Sequence, residues 1–280
     1  MLRRHVLILV VATTALLAAC GGGEAEPEAP VPTPEEHEEG PLRTVDAPSA
    51  AITIDGDTSD WATIEGLDLT LEAIRGEDVE PRAATIKVAH DNKAIYVLFQ
   101  VTDDYNWNPD DAHLSGSAAV MWSIEEGAGE HMGAEEPDRE TSLGMVDIWH
   151  WELECAASAE SGGSISGPGG EDPGNDGKCN LDDEWATIPQ EREDDNGAGA
   201  ENSLLGVWNH TSPTEDSNGD WIFELRRPLE TGDEQDAQLT VGETALLALA
   251  YWDPDSGDAG WGDDEHAQSA NQGWIEVALT

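Results

Sequence analysis

Met132 lies in the run Gly129-Glu130-His131-Met132-Gly133, and Val146-Asp147-Ile148-Trp149-His150-Trp151 follows closely. A soft thioether and imidazole nitrogens beside clustered indoles are donors that suit haem iron, which takes His or Met as axial ligands in electron-transfer sites. A lone Met in a β protein is usually core, but Met132 is unusual in being set in a loop rich in Gly and Glu rather than in an apolar run. Met121, inside Ala118-Ala119-Val120-Met121-Trp122, reads as core instead. His150 closes a strand-like run, where packing and ligation are both open to it. His266, in Asp263-Asp264-Glu265-His266-Ala267-Gln268-Ser269, is a further imidazole donor. The chain has no Cys-x-x-Cys-His, which excludes covalent c-type attachment and leaves non-covalent haem b.

Tryptophan occurs 11 times, against two Phe and three Tyr. A buried indole needs a partner for its N–H, which places tryptophan often at pockets and interfaces. Trp122, Trp149 and Trp151 surround the Met132 and His150 region, with Trp149 and Trp122 the candidate cofactor walls, while Trp261 and Trp274 flank His266. The competing reading is a tryptophan-rich structural core.

Other chemistry has little support. No Gly-x-Ser-x-Gly, His-Glu-x-x-His or phosphate-binding glycine loop occurs. Carboxylates are so numerous that no one pair stands out as a glycosidase acid and base. Asp216-Ser217-Asn218-Gly219-Asp220 and Asp253-Pro254-Asp255-Ser256-Gly257-Asp258 offer hard oxygens that suit calcium. Neither has the twelve-residue pattern with a closing Glu, and solvated turns explain them as well.

The formal charge is −48, from 60 acidic and 12 basic residues. Such a surface repels nucleic acid and anionic lipid headgroups, so neither is a partner. A saline habitat, where the Debye length falls to roughly 3 Å at 1 M salt, accounts for the excess, with a specific cation-binding role as the alternative.

Residues 1–19 read as a lipoprotein signal peptide: Arg3 and Arg4, the apolar run Val6 to Leu17, then Leu17-Ala18-Ala19-Cys20. Cys20 would carry the lipid, the protein's one attachment to a membrane of the cell envelope, facing the periplasm. Gly21 in place of Asp favours the outer membrane. Cys155 and Cys179 remain as a disulfide pair in that oxidising compartment. Their loop, Ala156 to Lys178, is rich in Gly, Ser, Pro and Asp, and a bridge across it would contribute about 3 kcal/mol. Residues 20–48 are acidic and rich in Pro and Glu, predicting a disordered tether.

Residues 49–280 predict one all-β domain, a β-sandwich of mostly antiparallel strands with long acidic loops. Strand runs are Ala51–Ile54, Thr85–His90 paired through Asp91-Asn92-Lys93 with Ala94–Val101, Ala118–Ile124, Met145–Leu153, Trp221–Arg226, Ala245–Tyr251 and Trp274–Leu279. Leu67–Arg75 fits a strand or a short helix. Trp221, Phe223 and Leu225 alternate with Ile222, Glu224 and Arg226, so this strand has two distinct faces.

The order of motifs is informative: Ile54-Asp55-Gly56-Asp57-Thr58-Ser59-Asp60-Trp61, Ala118 to Trp122, His131-Met132-Gly133, Val146 to Trp151, Gly219-Asp220-Trp221 to Arg226-Arg227-Pro228-Leu229, and Ala248-Leu249-Ala250-Tyr251-Trp252-Asp253 with Trp274. Over roughly residues 50 to 280 this order resembles the haem-binding domain of the ethylbenzene dehydrogenase gamma-subunit family, found also in dimethylsulfide dehydrogenase-type complexes. The resemblance implies a β-sandwich holding one haem b between a Met and a Lys. It implies a relay rather than a catalytic subunit, with a molybdenum oxidoreductase complex or a cytochrome as redox partner. Met132 matches the methionine. No lysine follows Lys178, and His266 stands in the neighbourhood of the family's lysine, with His150 in reserve. The opening Asp-Gly-Asp-x-x-Asp-Trp is also similar to family 9-type carbohydrate-binding modules, which implies the alternative of a sugar binder with exposed tryptophans and structural calcium.

Overall fold

The computed structural model describes residues 43–74, 79–108, 110–134, 137, 140–153, 181–187, 191–194, 203–257, 260–262 and 265–280. The signal segment, Cys20, most of the tether and the Cys155 and Cys179 pair lie outside the described residues.

The elements are thirteen strands and short 3-10 turns, with no α-helix among the described residues. In chain order the strands are β1 (Arg43–Ala47), β2 (Leu67–Ala73), β3 (Arg82–His90), β4 (Ala94–Asp104), β5 (Ser117–Ser123), β6 (Met145–Glu152), β7 (Leu181–Thr187), β8 (Glu191–Asp194), β9 (Leu205–His210), β10 (Asn218–Pro228), β11 (Thr244–Trp252), β12 (His266–Gln268) and β13 (Ile275–Leu279). A first sheet runs β8-β7-β6-β5-β11. Beyond β11 it forks, because Thr244–Leu247 pairs with β13 and Ala250–Trp252 with β12. A second sheet runs β2-β3-β4-β10-β9, and pairing of β12 with β2 joins the two. Every pairing is antiparallel except β1 with β13.

Alternation of side chains along each strand builds the core between the sheets. The second sheet contributes Ile86, Val88, Val97, Phe99, Val101, Trp221, Phe223 and Leu225. The first contributes Val120, Trp122, Trp149, Trp151, Leu249 and Tyr251. Asp91 shapes the β3–β4 turn by accepting from the amides of Lys93 (2.9 Å) and Ala94 (2.8 Å), with Asn92 at φ 67°. On the far side of the second sheet, buried Glu224 of β10 gathers the Asp-Gly-Asp-x-x-Asp-Trp motif. It accepts from the amides of Gly56 (2.6 Å) and Asp55 (3.1 Å) and from Trp61 Nε1 (2.7 Å). This motif is therefore a structural clasp.

One buried guanidinium ties the sheets together. Arg227 of β10 has no solvent exposure and pairs with Asp147 of β6, with Asp183 of β7 at 3.1 Å, and with Asp236 at 2.9 Å. Its guanidinium carbon also sits 4.9 Å from the Trp149 ring centre. Three carboxylates share one cation, and burial pushes Asp147 up and Asp236 up to about 6. Removing one partner of such a buried pair costs roughly 3–5 kcal/mol, because the remaining charges are left uncompensated.

Six segments differ from expectation. Arg43–Ala47, assigned to the tether, forms β1 because Val45 and Ala47 bury against the sandwich. Ala51–Ile54 is not a strand. The amides of Thr53 and Asp55 are taken by the side chains of Asp60 and Glu224 rather than by a neighbouring chain. The strands β7, β8, β9 and β12 have no counterpart in the sequence reading. In β7 the run Leu-Asp-Asp-Glu-Trp-Ala-Thr looks too acidic to be buried, and only distant arginines make it so.

Burial, reinforced by the neighbouring charge of Asp253, also pushes Asp103 up to about 6. Like Asp236, it binds its proton more tightly in the folded chain than in the unfolded one, so these groups favour the fold as pH falls through about 6 towards about 4. Thermal unfolding is expected at a Tm a few degrees higher near pH 5 than near pH 7.5, and Asp236→Asn should flatten that rise. A Tm that falls over the same interval would contradict this assignment.

Candidate functional site

The outward face of the first sheet carries a second apolar cluster: Ala119, Met121, Val146, Ile148, Ala186, Ala248, Trp252 and Trp261, with Met132, Ala250 and Trp274 packed on it. Register explains its shape. His150, Ala119, Ala250 and Gln268 stand in one row across β6, β5, β11 and β12, and Ile148, Met121 and Ala248 form the adjacent row. Small alanines in the middle and larger side chains at the edges leave a hollow. Neighbouring strands lie roughly 4.8 Å apart, so this four-strand floor is about 14 Å wide.

The hollow is a cavity of about 380 Å³, within the usual range for small-molecule sites of roughly 300–1,000 Å³. Met132, His266 and His150 all line it, together with His131, Trp252 and Trp261. The Trp252 ring lies between two imidazoles, 4.9 Å from His150 and 4.6 Å from His266, centre to centre. Trp261 packs against Trp252 with ring centres 5.8 Å apart and planes tilted by 49°, fixed by donation from Nε1 to the Ser115 carbonyl at 3.0 Å.

Met132 reaches the cavity from a loop bent over this floor. It holds φ 55°, a left-handed conformation that costs a residue with a Cβ roughly 1–2 kcal/mol. Such strain persists where surrounding structure fixes it and is concentrated at functional sites. The fixing contacts are specific. Gly133 N donates to the Gly129 carbonyl (2.9 Å) and Leu143 N to the Gly133 carbonyl (2.8 Å). Trp274 Nε1 donates to the Ala128 carbonyl (3.1 Å), and Gln268 Nε2 to His131 Nδ1 (3.2 Å), which pins the loop to β12.

The polar wall comes from β6, β7 and β8. Buried Glu184 accepts a hydrogen bond from Arg192 Nη2 at Oε1 (2.8 Å), has its Oε2 in ion-pair contact with Arg192 Nε at 2.7 Å, and sits 3.4 Å from His150 Nδ1. Burial alone would raise the Glu184 carboxyl; the bonds and charges of His150 and Arg192 outweigh it and hold that group below its usual range.

The structure thus brings Met132, His266 and His150 to one cavity and sends Trp122 and Trp149 elsewhere. Both are fully buried in the core between the sheets, because His150 faces outward and alternation turns Trp149 inward. The indoles on the cavity are Trp252 and Trp261 instead. Sequence reading passed over the Glu184 and Arg192 wall and the alanine floor; the signal for the floor is small residues at alternate positions, Ala119 in β5 and Ala248 and Ala250 in β11. In the acidic loops considered for calcium, Asp253 caps a turn and pairs with Arg82, and Asp220 accepts from Thr102. Among the described residues the carboxylates close enough to share a cation are Asp147, Asp183 and Asp236, with oxygens within 4.8 Å of one another and the Arg227 guanidinium among them. Among the described residues every tryptophan is buried or half-buried, with Trp107, Trp185 and Trp274 half-buried.

A family model described as ethylbenzene dehydrogenase matches residues 58–264. Comparison with curated proteins finds no match. Among solved structures, the chain is similar to a Bacteroides uniformis protein provisionally described as carbohydrate-binding, at 10% identity and TM-score 0.48, covering 85% of this chain and 99% of that one. It is similar also to a family 9 carbohydrate-binding module from Caldicellulosiruptor kristjanssonii in complex with cellotriose, at 13% identity and TM-score 0.43, over 85% and 94% of the two chains. The same module in complex with glucose matches at 14% identity and TM-score 0.42, over 85% and 96%.

Two glycines test how firmly the loop is held. A Cβ on Gly133 (φ 89°) would lie 2.2 Å from the Gly144 carbonyl oxygen, whereas one on Gly127 (φ 87°) would meet nothing within 4 Å. Gly127→Ala is expected to cost only backbone strain, about 1 kcal/mol. Gly133→Ala should cost at least about 2 kcal/mol, as strain and clash combine. Equal denaturation midpoints for the two variants would show that the loop is not pressed onto Gly144.

Proposed function

The chain belongs to the ethylbenzene dehydrogenase family, and from that membership we propose that the outer-face cavity binds one haem b non-covalently, with Met132 and His266 as iron ligands. The observation that carries this reading is the convergence of Met132, from a strained loop, and His266, from β12, on one apolar cavity. The donor set suits the group: a thioether and imidazoles for the iron, an alanine floor for a flat macrocycle, and indole walls that limit water. Haem bound there supplies a one-electron couple.

The chain's own residues have separate tasks. Met132 would offer sulfur from the loop and His266 nitrogen from β12, so the two donors come from different elements. Trp252 packs against His266 and keeps its ring from turning. Gln268 fastens the loop through His131. His150, engaged with Glu184, is the reserve ligand. The protein acts as an electron relay with redox partner proteins, a molybdenum oxidoreductase complex or a cytochrome. Its leader places it in the cell envelope, anchored through lipid on Cys20 and facing the periplasm.

Full-length protein produced with haem supplied is expected to show a Soret band. Met132→Ala and His266→Ala should each weaken haem affinity at least about tenfold and alter the spectrum, while His150→Ala leaves the ligand bands in place. Unchanged spectra in both Met132→Ala and His266→Ala would eliminate this ligand pair, and a colourless wild-type protein would eliminate haem binding.

A further inference from the structure

A macrocycle of this kind brings carboxylates as well as an iron. The chain carries −48 overall, and Glu130, Glu152 and Glu184 all line the cavity. An apolar ligand bearing two carboxylates would be repelled from such a wall unless a cation received it. Among the described lining residues, Arg192 is the one with a permanent positive charge.

Its setting suits that task. Arg192 stands on β8 at the edge of the first sheet, and its side chain is 44% exposed whereas that of Glu184 is 1% exposed. Glu184 holds the guanidinium at the cavity wall through one hydrogen bond from Nη2 and an ion-pair contact at Nε, so less freedom is lost when a further anion arrives. Arg192 Nη2 also lies 3.4 Å from His150 Nδ1, which places the charge beside the apolar floor. A planar guanidinium matches a carboxylate in shape as well as charge.

We infer that Arg192 is the recognition residue for a carboxylate of the cavity's ligand, with Glu184 as the positioning residue that holds it. The inference rests on the haem reading, in which the carboxylates are the two propionates. No bond is made or broken; the contact selects a ligand bearing carboxylates over an uncharged analogue of the same shape.

The test compares haemin with haemin dimethyl ester, in which both propionates are masked, by Soret titration of the full chain. Wild-type protein is expected to bind haemin roughly tenfold more tightly than the ester. Arg192→Gln should bind the two alike, and Arg192→Lys should recover part of the preference. A variant that only loosened the wall would lose affinity for both porphyrins equally and keep their ratio. An unchanged ratio in Arg192→Gln, or no preference in the wild type, overturns the role of Arg192 and leaves haem binding standing. No Soret band with either porphyrin overturns both.

Discussion

The Arg227 guanidinium is the constraint on which the site's geometry rests. It reaches from β10 in one sheet to Asp147 on β6 and Asp183 on β7 in the other. Those two strands present His150 and Glu184 on their opposite faces. Because side chains alternate, the register that lets Asp147 and Asp183 meet Arg227 inside also fixes His150 and Glu184 outside. A slip of one residue would move both sets to the wrong side. A hydrophobic contact would tolerate rearrangement here. Three carboxylates around one cation would not, since an unpaired buried charge is far more costly than an imperfect apolar fit.

The first sheet is thus used twice. Its inner face holds the tryptophans that lock the sandwich, with Trp122 and Trp149 centred 5.5 Å apart. Its outer face holds the alanine-floored cavity. Every residue of β6 from Val146 to Trp151 is buried, as in strands covered on both sides. The cover on the outer side is the Met132 loop, whose left-handed methionine and clamped Gly133 mark it as held rather than slack.

How much of this could be read from the chain follows from which interactions are local. The β3–β4 hairpin, β5, β6, β10, β11 and β13 carry apolar alternation within a few residues, and they match the observed strands. Met132 and His266 stood out by residue type and setting, and they line the same cavity. The inward turn of Trp149 was implicit in the alternation that also placed His150 outward, yet proximity in sequence to Met132 suggested otherwise. Strand β7 was hidden because its carboxylates are neutralised by Arg227 and Arg192, partners that composition cannot pair in advance. The opening acidic motif pointed to a shared architecture, while its actual task, closing onto Glu224, depends on a residue far along the chain.

The chain belongs to the ethylbenzene dehydrogenase family, and the outer face of its first sheet carries a cavity lined by Met132 and His266. The most direct measurement is an anomalous difference map, recorded at the iron edge, from crystals of the haemin-saturated protein. The expected result is a single iron peak over the outer face of the β6-β5-β11-β12 floor, within bonding distance of the Met132 sulfur. A peak anywhere else, or haem stacked only on the protein's surface, would contradict the account.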